Sequence, residues 1–358
     1  VATILWAVAD RRDELNTSYY RCLIPAKILD GRNGHRCVIT HIYELSSEKY
    51  DPEFQEIVDS ADVILLERLL LSELWPHIDK WHAQGKKVVG LFDDAYHLMP
   101  PSGGASALSW RGGKSFQFGT KSDGTKKVGA ILTEFRQTLR MCDTAIVPSR
   151  LLADDYRQFC PTIQYIPNVS PPELWDKFGK RPPDNNFIIG WGGSTAHWES
   201  FRDSGIVPAL ATVCRNNSRV YIHLQNKDPR IAILLDKAGL QGRYSMHFWT
   251  TFEAWPQIVK SWDLYICPIA SQYDLRRSFL KQIEAGMAGI PWVASNLGSF
   301  KEGVGGLLVN NKSAEWDRTI EAMISDNKLR ANLSTDGHTW AESLYRDAGR
   351  MYEVALGI

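Results

Sequence analysis

The chain has 358 residues, long for a single hydrophobic core, so two domains of ordinary size are expected. Its 41 Lys and Arg balance 41 Asp and Glu, and no block of like charge suggests a nucleic-acid or membrane tether, although a locally basic cleft stays open. Six scattered cysteines (Cys22, Cys37, Cys142, Cys160, Cys214 and Cys267) include no C-x2-C pair, which argues against a zinc site and a disulfide framework and points to reduced, mostly buried thiols.

Short β-branched runs alternate with helical patterns from the start: "TILWAVA" (3 to 9), "RCVITHI" (36 to 42), "ADVILLE" (61 to 67), "KKVVGLF" (86 to 92) and "DTAIVPS" (143 to 149). Such alternation predicts a parallel sheet flanked by helices over residues 1 to 168. Between the first two runs, "SYYRCLIPAKILDGRNGH" reads as a crossover helix with Gly34 as its stop. The segment from 100 to 127 breaks the pattern. It is rich in Gly, Ser and Lys, and reads either as a lid or acceptor-contacting loop or as a disordered stretch; Lys114, Lys121, Lys126 and Lys127 could meet an anionic acceptor or simply be solvated.

Five prolines in "IPNVSPPELWDKFGKRPPDNN" place an interdomain linker at 169 to 185. The alternation resumes with "NFIIGWGG" (186 to 193), "SRVYIHLQ" (218 to 225), "YSMHFWT" (244 to 250), "WDLYICPI" (262 to 269) and "GIPWVAS" (289 to 295), which predicts a second doubly wound domain over 186 to 335. The last stretch repeats Trp340, Leu344, Ala348, Met351 and Val354 at near-helical spacing, and a helix over 338 to 358 is expected to pack back on the first domain. No run of about 18 apolar residues and no leader-like start is present, so a cytoplasmic protein without a stable membrane span is expected.

In doubly wound sheets ligands sit beyond the carboxyl ends of strands. Three strand ends carry chemistry. After "NFIIGWGG", Gly192, Gly193 and Ser194 lead through His197 into a helix, where backbone amides and the helix N-terminus suit an anion, although glycine pairs also make plain turns. In "DLRRSFLKQIEAGMAGIPWVAS", Leu280, Ile283 and Met287 form one face of a helix beginning near Ser278, and Arg277, Lys281 and Glu284 form another. A solvated charged face would look the same. A nucleoside diphosphate would satisfy the whole stripe, its phosphates on the two cations and its ribose on Glu284. In the first domain, Asp93, Asp94 and His97 end a strand in "GLFDDAYHLMP"; adjacent carboxylates there serve as metal ligands or as turn caps. Ser18, Tyr19 and Arg21 in "NTSYYR", and Arg68 after "DVILLE", occupy equivalent strand-end loops.

The motifs "IGWGGSTAHWES", "SFLKQIEAGMAGIPWVAS" and "TAIVPSRLLADDYRQF", followed by "IQYIPNV", together resemble the GT-B glycosyltransferases of the retaining family 4 type. The resemblance covers most of the chain and implies an α/β fold of two Rossmann-like domains facing across a cleft. It implies transfer of a sugar from a nucleotide diphosphate sugar, a co-substrate in place of any cofactor, to a glycan or small molecule, with nucleic acid or protein as further alternatives. Within it Glu284 matches the second acid of a Glu-x7-Glu motif, Lys281 and Arg277 the cations on the donor diphosphate, Gly193 its amide donor, and Trp249 a nucleobase neighbour. With fixed cations no metal is implied. Asp93, Asp94 and His97 are the candidate catalytic residues, on the acceptor side with Ser18, Tyr19, Arg21 and Arg68. The sequence departs from the motif at Arg276, where the first acid is expected; the nearest upstream acid is Asp274. That departure keeps open a nucleotide-binding protein without turnover, and a nucleotide-sugar epimerase shares the same fold.

Overall fold

A computed structural model of the chain describes residues 1–10, 17–47, 49–68, 72–100, 110, 116–120, 126–129, 131–182 and 184–358. The chain divides into two compact units, Val1–Asn168 with Arg346–Ile358, and Val169–Tyr345.

The first unit holds β1 (Thr3–Val8), β2 (Arg36–His41), β3 (Val63–Glu67), β4 (Lys87–Leu91), a separate antiparallel pair β5 (Phe116–Thr120) and β6 (Lys126–Gly129), β7 (Thr144–Val147) and β8 (Ile163–Tyr165). Six of these form one parallel sheet in the order β2-β1-β3-β4-β7-β8. The central strands read as unbroken apolar runs because both of their faces are covered: Ile4, Leu5, Trp6, Ile64, Leu65, Val88 and Val89 are all buried.

The second unit repeats the plan with β9 (Phe187–Gly192), β10 (Val220–Gln225), β11 (Tyr244–Met246), β12 (Leu264–Cys267), β13 (Trp292–Ser295) and β14 (Gly306–Val309). They form a parallel sheet in the order β11-β10-β9-β12-β13-β14. The chain runs outward from β9 through β10 to β11 and then returns to β12 on the other side of β9. The order of winding therefore reverses between β9 and β12, and in the first unit between β1 and β3. Loops that leave adjacent strands in opposite directions open a crevice there, the usual ligand position of this architecture.

Several local expectations are corrected. The crossover helix stops at Leu29, with Asp30 extended and Gly31 the first left-handed residue, so Gly34 lies in the following turn and is not the helix stop. The helix after "DLRR" starts at Leu280, because a tight turn at Asp274–Arg276 and an extended Arg277 precede it; Ser278 lies ahead of the helix, and its Oγ accepts from the Leu280 amide at 3.4 Å. Gly289, at φ 66°, closes that helix in the left-handed conformation that suits a glycine. The terminal helix runs over Asn327–Leu356, and its buried stripe near the end is Ala348, Tyr352, Ala355 and Leu356, while Val354 is exposed. Tyr352 meets the edge of Trp6 at 5.8 Å, and Lys87 Nζ donates to the Leu356 carbonyl at 3.0 Å. From Val169 onward the proline-rich stretch belongs to the second unit, where Leu174 and Trp175 are buried and Trp175 Nε1 donates to Ser170 Oγ at 2.8 Å.

Candidate functional site

The crevice between β9 and β12 is built from two loops and one helix of the second unit. After β9, Gly192 and Gly193 lead into a single turn over Thr195–His197 and the helix Trp198–Asp203. Asn226, which directly follows β10, donates to the Gly193 carbonyl and fixes that peptide. Gly193 is crowded: a Cβ there would stand 2.8 Å from Cζ2 of Trp191 and 3.0 Å from Cδ2 of His197. Only a glycine lets the backbone pass between the two rings without displacing one of them.

His197 and Asp274 are both buried, and Nδ1 of His197 lies 3.0 Å from Oδ1 of Asp274. Ser200 donates its hydroxyl to the other carboxylate oxygen, Oδ2, which also accepts from Ser271 Oγ at 2.9 Å. Ser200 Oγ in turn accepts the Ala270 amide at 2.7 Å, so the loop after β12 hangs on the helix after β9. Burial pushes the His197 pKa down, to about 4, and Arg277 and Lys281 push the same way against the opposing pull of Asp274. Burial also works against an ionised Asp274, but His197, Arg277 and Ser200 outweigh it and hold that carboxyl at about 2. At neutral pH the pair is an aspartate facing a neutral imidazole.

Arg277 stacks over the Tyr273 ring at 5.3 Å and donates to its hydroxyl at 3.3 Å. Lys281, partly buried on the first turn of the helix Leu280–Ala288, has neither a hydrogen bond nor an ion pair among the described residues. Burial lowers its pKa, Arg277 lowers it further, and Glu284, Cys267 and Asp274 act in the opposite sense. A cation that is desolvated, repelled by a neighbour and unpaired is costly to keep charged, and an anionic ligand removes that cost. Glu284 is buried one turn further on and accepts from Tyr265 at 3.5 Å. Trp249 is 64 % exposed beyond β11, beside Phe248 at 71 %, with Lys227 Nζ 3.5 Å from the Phe248 ring centre. It is an exposed ring, not a core one. Arg276, at the position of the absent first acid, donates to Gln272 Oε1 at 2.8 Å.

In the first unit the equivalent crevice, between β1 and β3, gathers Asp10, Ser18, Glu67 and Arg68. Arg68, with φ at 48°, pairs with Asp10, and Ser18 bonds both Glu67 and Asp10. Burial raises the pKa of Glu67 against the pull of Arg68 and Ser18. Asp93 and Asp94 are partly buried, as is His97, whose Nδ1 lies 3.1 Å from the Tyr156 hydroxyl and Nε2 3.3 Å from Asp155. Tyr19 begins the turn Tyr19–Leu23 and is half-buried. Arg21 is placed otherwise than expected of an acceptor contact. It is fully buried, with its guanidinium committed to the carbonyls of Ile146 and Ile166 and to Asn168. Most of the 100–127 segment, with Lys114 and Lys121, lies outside the described residues.

Sequence reasoning missed Asn226, Ser200, Ser271, Asp10 and Glu67. Asn226 and Asp10 follow β10 and β1 closely and Glu67 ends β3, so the strand-end rule covers all three; Ser200 and Ser271 carry no local signal. Among the described residues no three His, Cys, Asp or Glu side chains are grouped to hold a metal ion, and no helix is long and apolar enough to cross a membrane.

Neither family models nor curated proteins match the chain. Solved structures do. HepE of Anabaena, in complex with UDP-glucose, superposes with a TM-score of 0.66 at 15 % identity over 100 % of both chains. Sucrose-phosphate synthase from Thermosynechococcus elongatus gives 0.64 at 14 % identity, again over 100 % of each. WaaG, a glycosyltransferase involved in lipopolysaccharide biosynthesis, gives 0.61 at 11 %, over 99 % of this chain and 100 % of that one. The chain therefore has the GT-B glycosyltransferase fold.

Proposed function

We propose that the chain is a glycosyltransferase that binds a nucleotide diphosphate sugar in the crevice between β9 and β12 of its second unit. The observation that carries this is Lys281: an unpaired, partly buried ammonium beside Arg277, on the first turn of a helix that faces the same cluster as His197 in the loop after Gly193. The diphosphate would lie on Lys281, Arg277 and the Gly193 amide, the ribose would bond Glu284, and the base would stack on Trp249. As the bond from the sugar C1 to the phosphate oxygen breaks, the leaving nucleoside diphosphate keeps the electron pair, and fixed cations stabilise that charge as it develops. The acceptor hydroxyl oxygen bonds C1 and passes its proton to the departing diphosphate oxygen; retention of configuration is what the family resemblance implies. The acceptor falls to the strand-end residues of the first unit, Asp93, Asp94, His97, Arg68 and Tyr19.

A second reading, nucleotide binding without turnover, rests on Arg276, whose guanidinium bonds Gln272 where a carboxylate for sugar hydroxyls is expected. Measuring binding, donor hydrolysis and transfer across UDP-, ADP- and GDP-sugars separates the two. Binding with neither hydrolysis nor transfer supports the second, and interconversion of the sugar itself would mark an epimerase.

A further inference from the structure

The crevice between β9 and β12 contains a third basic group. His197 sits within electrostatic reach of both Arg277 and Lys281 and is tied on its Nδ1 side to Asp274. A neutral imidazole that directs Nδ1–H at a carboxylate carries its lone pair on Nε2. Cδ2, the ring carbon bonded to Nε2, faces Gly193, since a Cβ on that glycine would stand 3.0 Å from it. The tie to Asp274 thus leaves the ring's second nitrogen on the side of the Gly193 loop, where the diphosphate is placed.

We propose that His197 is a binding residue held in reserve, neutral among the protein's own charges and taking up a proton from solvent as the donor diphosphate enters beside it. This rests on the donor-site reading above. The charged groups facing His197 are Asp274 and Arg277 from the loop after β12 and Lys281 from the helix Leu280–Ala288; Glu199, nearby in sequence, interacts with Arg202 and Arg230. Two cations and burial oppose protonation, and one carboxylate favours it. A bound diphosphate adds negative charge next to Lys281 and Arg277, cancels their repulsion, and offers an oxygen to Nε2–H. The protonated ring would then bond Asp274 through Nδ1 and phosphate through Nε2, both bonds charge-assisted. The third cation would appear only when an anion is there to use it, so Arg277 and Lys281 are not crowded by a permanent third charge.

The test is calorimetric binding of UDP-, ADP- and GDP-glucose, whose diphosphate diesters have no group titrating near neutrality, in two buffers of different ionisation enthalpy at pH 6.5. The expected result is net uptake of about half a proton or more, and an affinity that tightens by about threefold or more from pH 7.5 to pH 6. His197→Gln, which keeps a donor for Asp274 but cannot be protonated, should bind with no uptake and a flat pH profile; His197→Asn serves if the first variant does not fold. Wild-type binding with zero uptake overturns the inference and leaves the donor site standing. So does an uptake that persists in either variant, since Lys281 would then carry it. If none of the three nucleotide sugars binds, the donor site fails and this inference fails with it.

Discussion

Nδ1 of His197 lies 3.0 Å from Oδ1 of Asp274, and this contact joins the loop after β9 to the loop after β12 at the point where the sheet reverses its winding. The first unit holds the counterpart pair, Arg68 with Asp10, between β1 and β3. In both units a carboxylate from one strand-end loop meets a basic side chain from another, so the crevice has fixed walls before any ligand arrives.

The state of that pair makes stability depend on pH. Above pH 6.5 His197 is neutral both folded and unfolded and contributes nothing. Below it the unfolded chain takes up a proton that the folded chain refuses, until the native group also titrates at about 4. Stability therefore falls as pH drops through this window, by on the order of 3 kcal/mol from this group. Urea unfolding at pH 7 and pH 4.5 should show the loss in the wild type and a clearly smaller one in His197→Gln; equal losses would mean the imidazole is not held neutral.

Asp274→Asn removes the carboxylate that faces His197 and unbalances Arg277 and Lys281. Two serine bonds weaken with it, and a stability loss of about 1–3 kcal/mol is expected by urea denaturation at pH 7. Unchanged stability would show that the cluster does not depend on this charge.

Gly193→Ala should cost about 1–3 kcal/mol, because its Cβ must displace the Trp191 or His197 ring. Gly179→Ala is the control, since nothing lies within 4 Å of its Cβ and it has no left-handed φ. Thermal unfolding of the two variants side by side should separate them by several degrees.

Among the described residues, ten of the fourteen strands were legible because each is an apolar run bounded by polar residues. The four that were not are short or lie at edges. β8 has three half-buried residues, β14 exposes Leu308, and β5 and β6 pair only with each other inside a polar segment. That Lys281 and Glu284 share one stripe of a helix was legible from helical spacing. The link from Ser200 to Asp274 spans 74 residues and follows from sheet order, which no local pattern encodes. Arg21 misled because a strand-end arginine looks the same in sequence whether it meets ligand or bonds three carbonyl oxygens of its own unit.

If, as proposed, Arg277 and Lys281 supply the fixed positive charge for a leaving diphosphate, transfer should proceed at the same rate with and without EDTA. A rate that collapses in chelator and returns with a divalent cation would move that role from the side chains to a metal. Asp94→Asn should lower transfer far more than nucleotide-sugar affinity; equal loss of both would point to a folding role for Asp94.

Lys281→Ala gives the sharpest measurement, because the unpaired ammonium is what points to a diphosphate. Calorimetric titration of the wild type with UDP-, ADP- and GDP-glucose should find at least one that binds, and the variant should bind it about tenfold or more weakly, as loss of a charge-assisted contact of about 1.5–3 kcal/mol requires. The variant's melting temperature should stay level or rise, since a desolvated, unpaired charge has been removed. A Lys281→Ala protein that keeps wild-type affinity, or a wild type that binds none of the three, would contradict the assignment of this crevice as a nucleotide-sugar site.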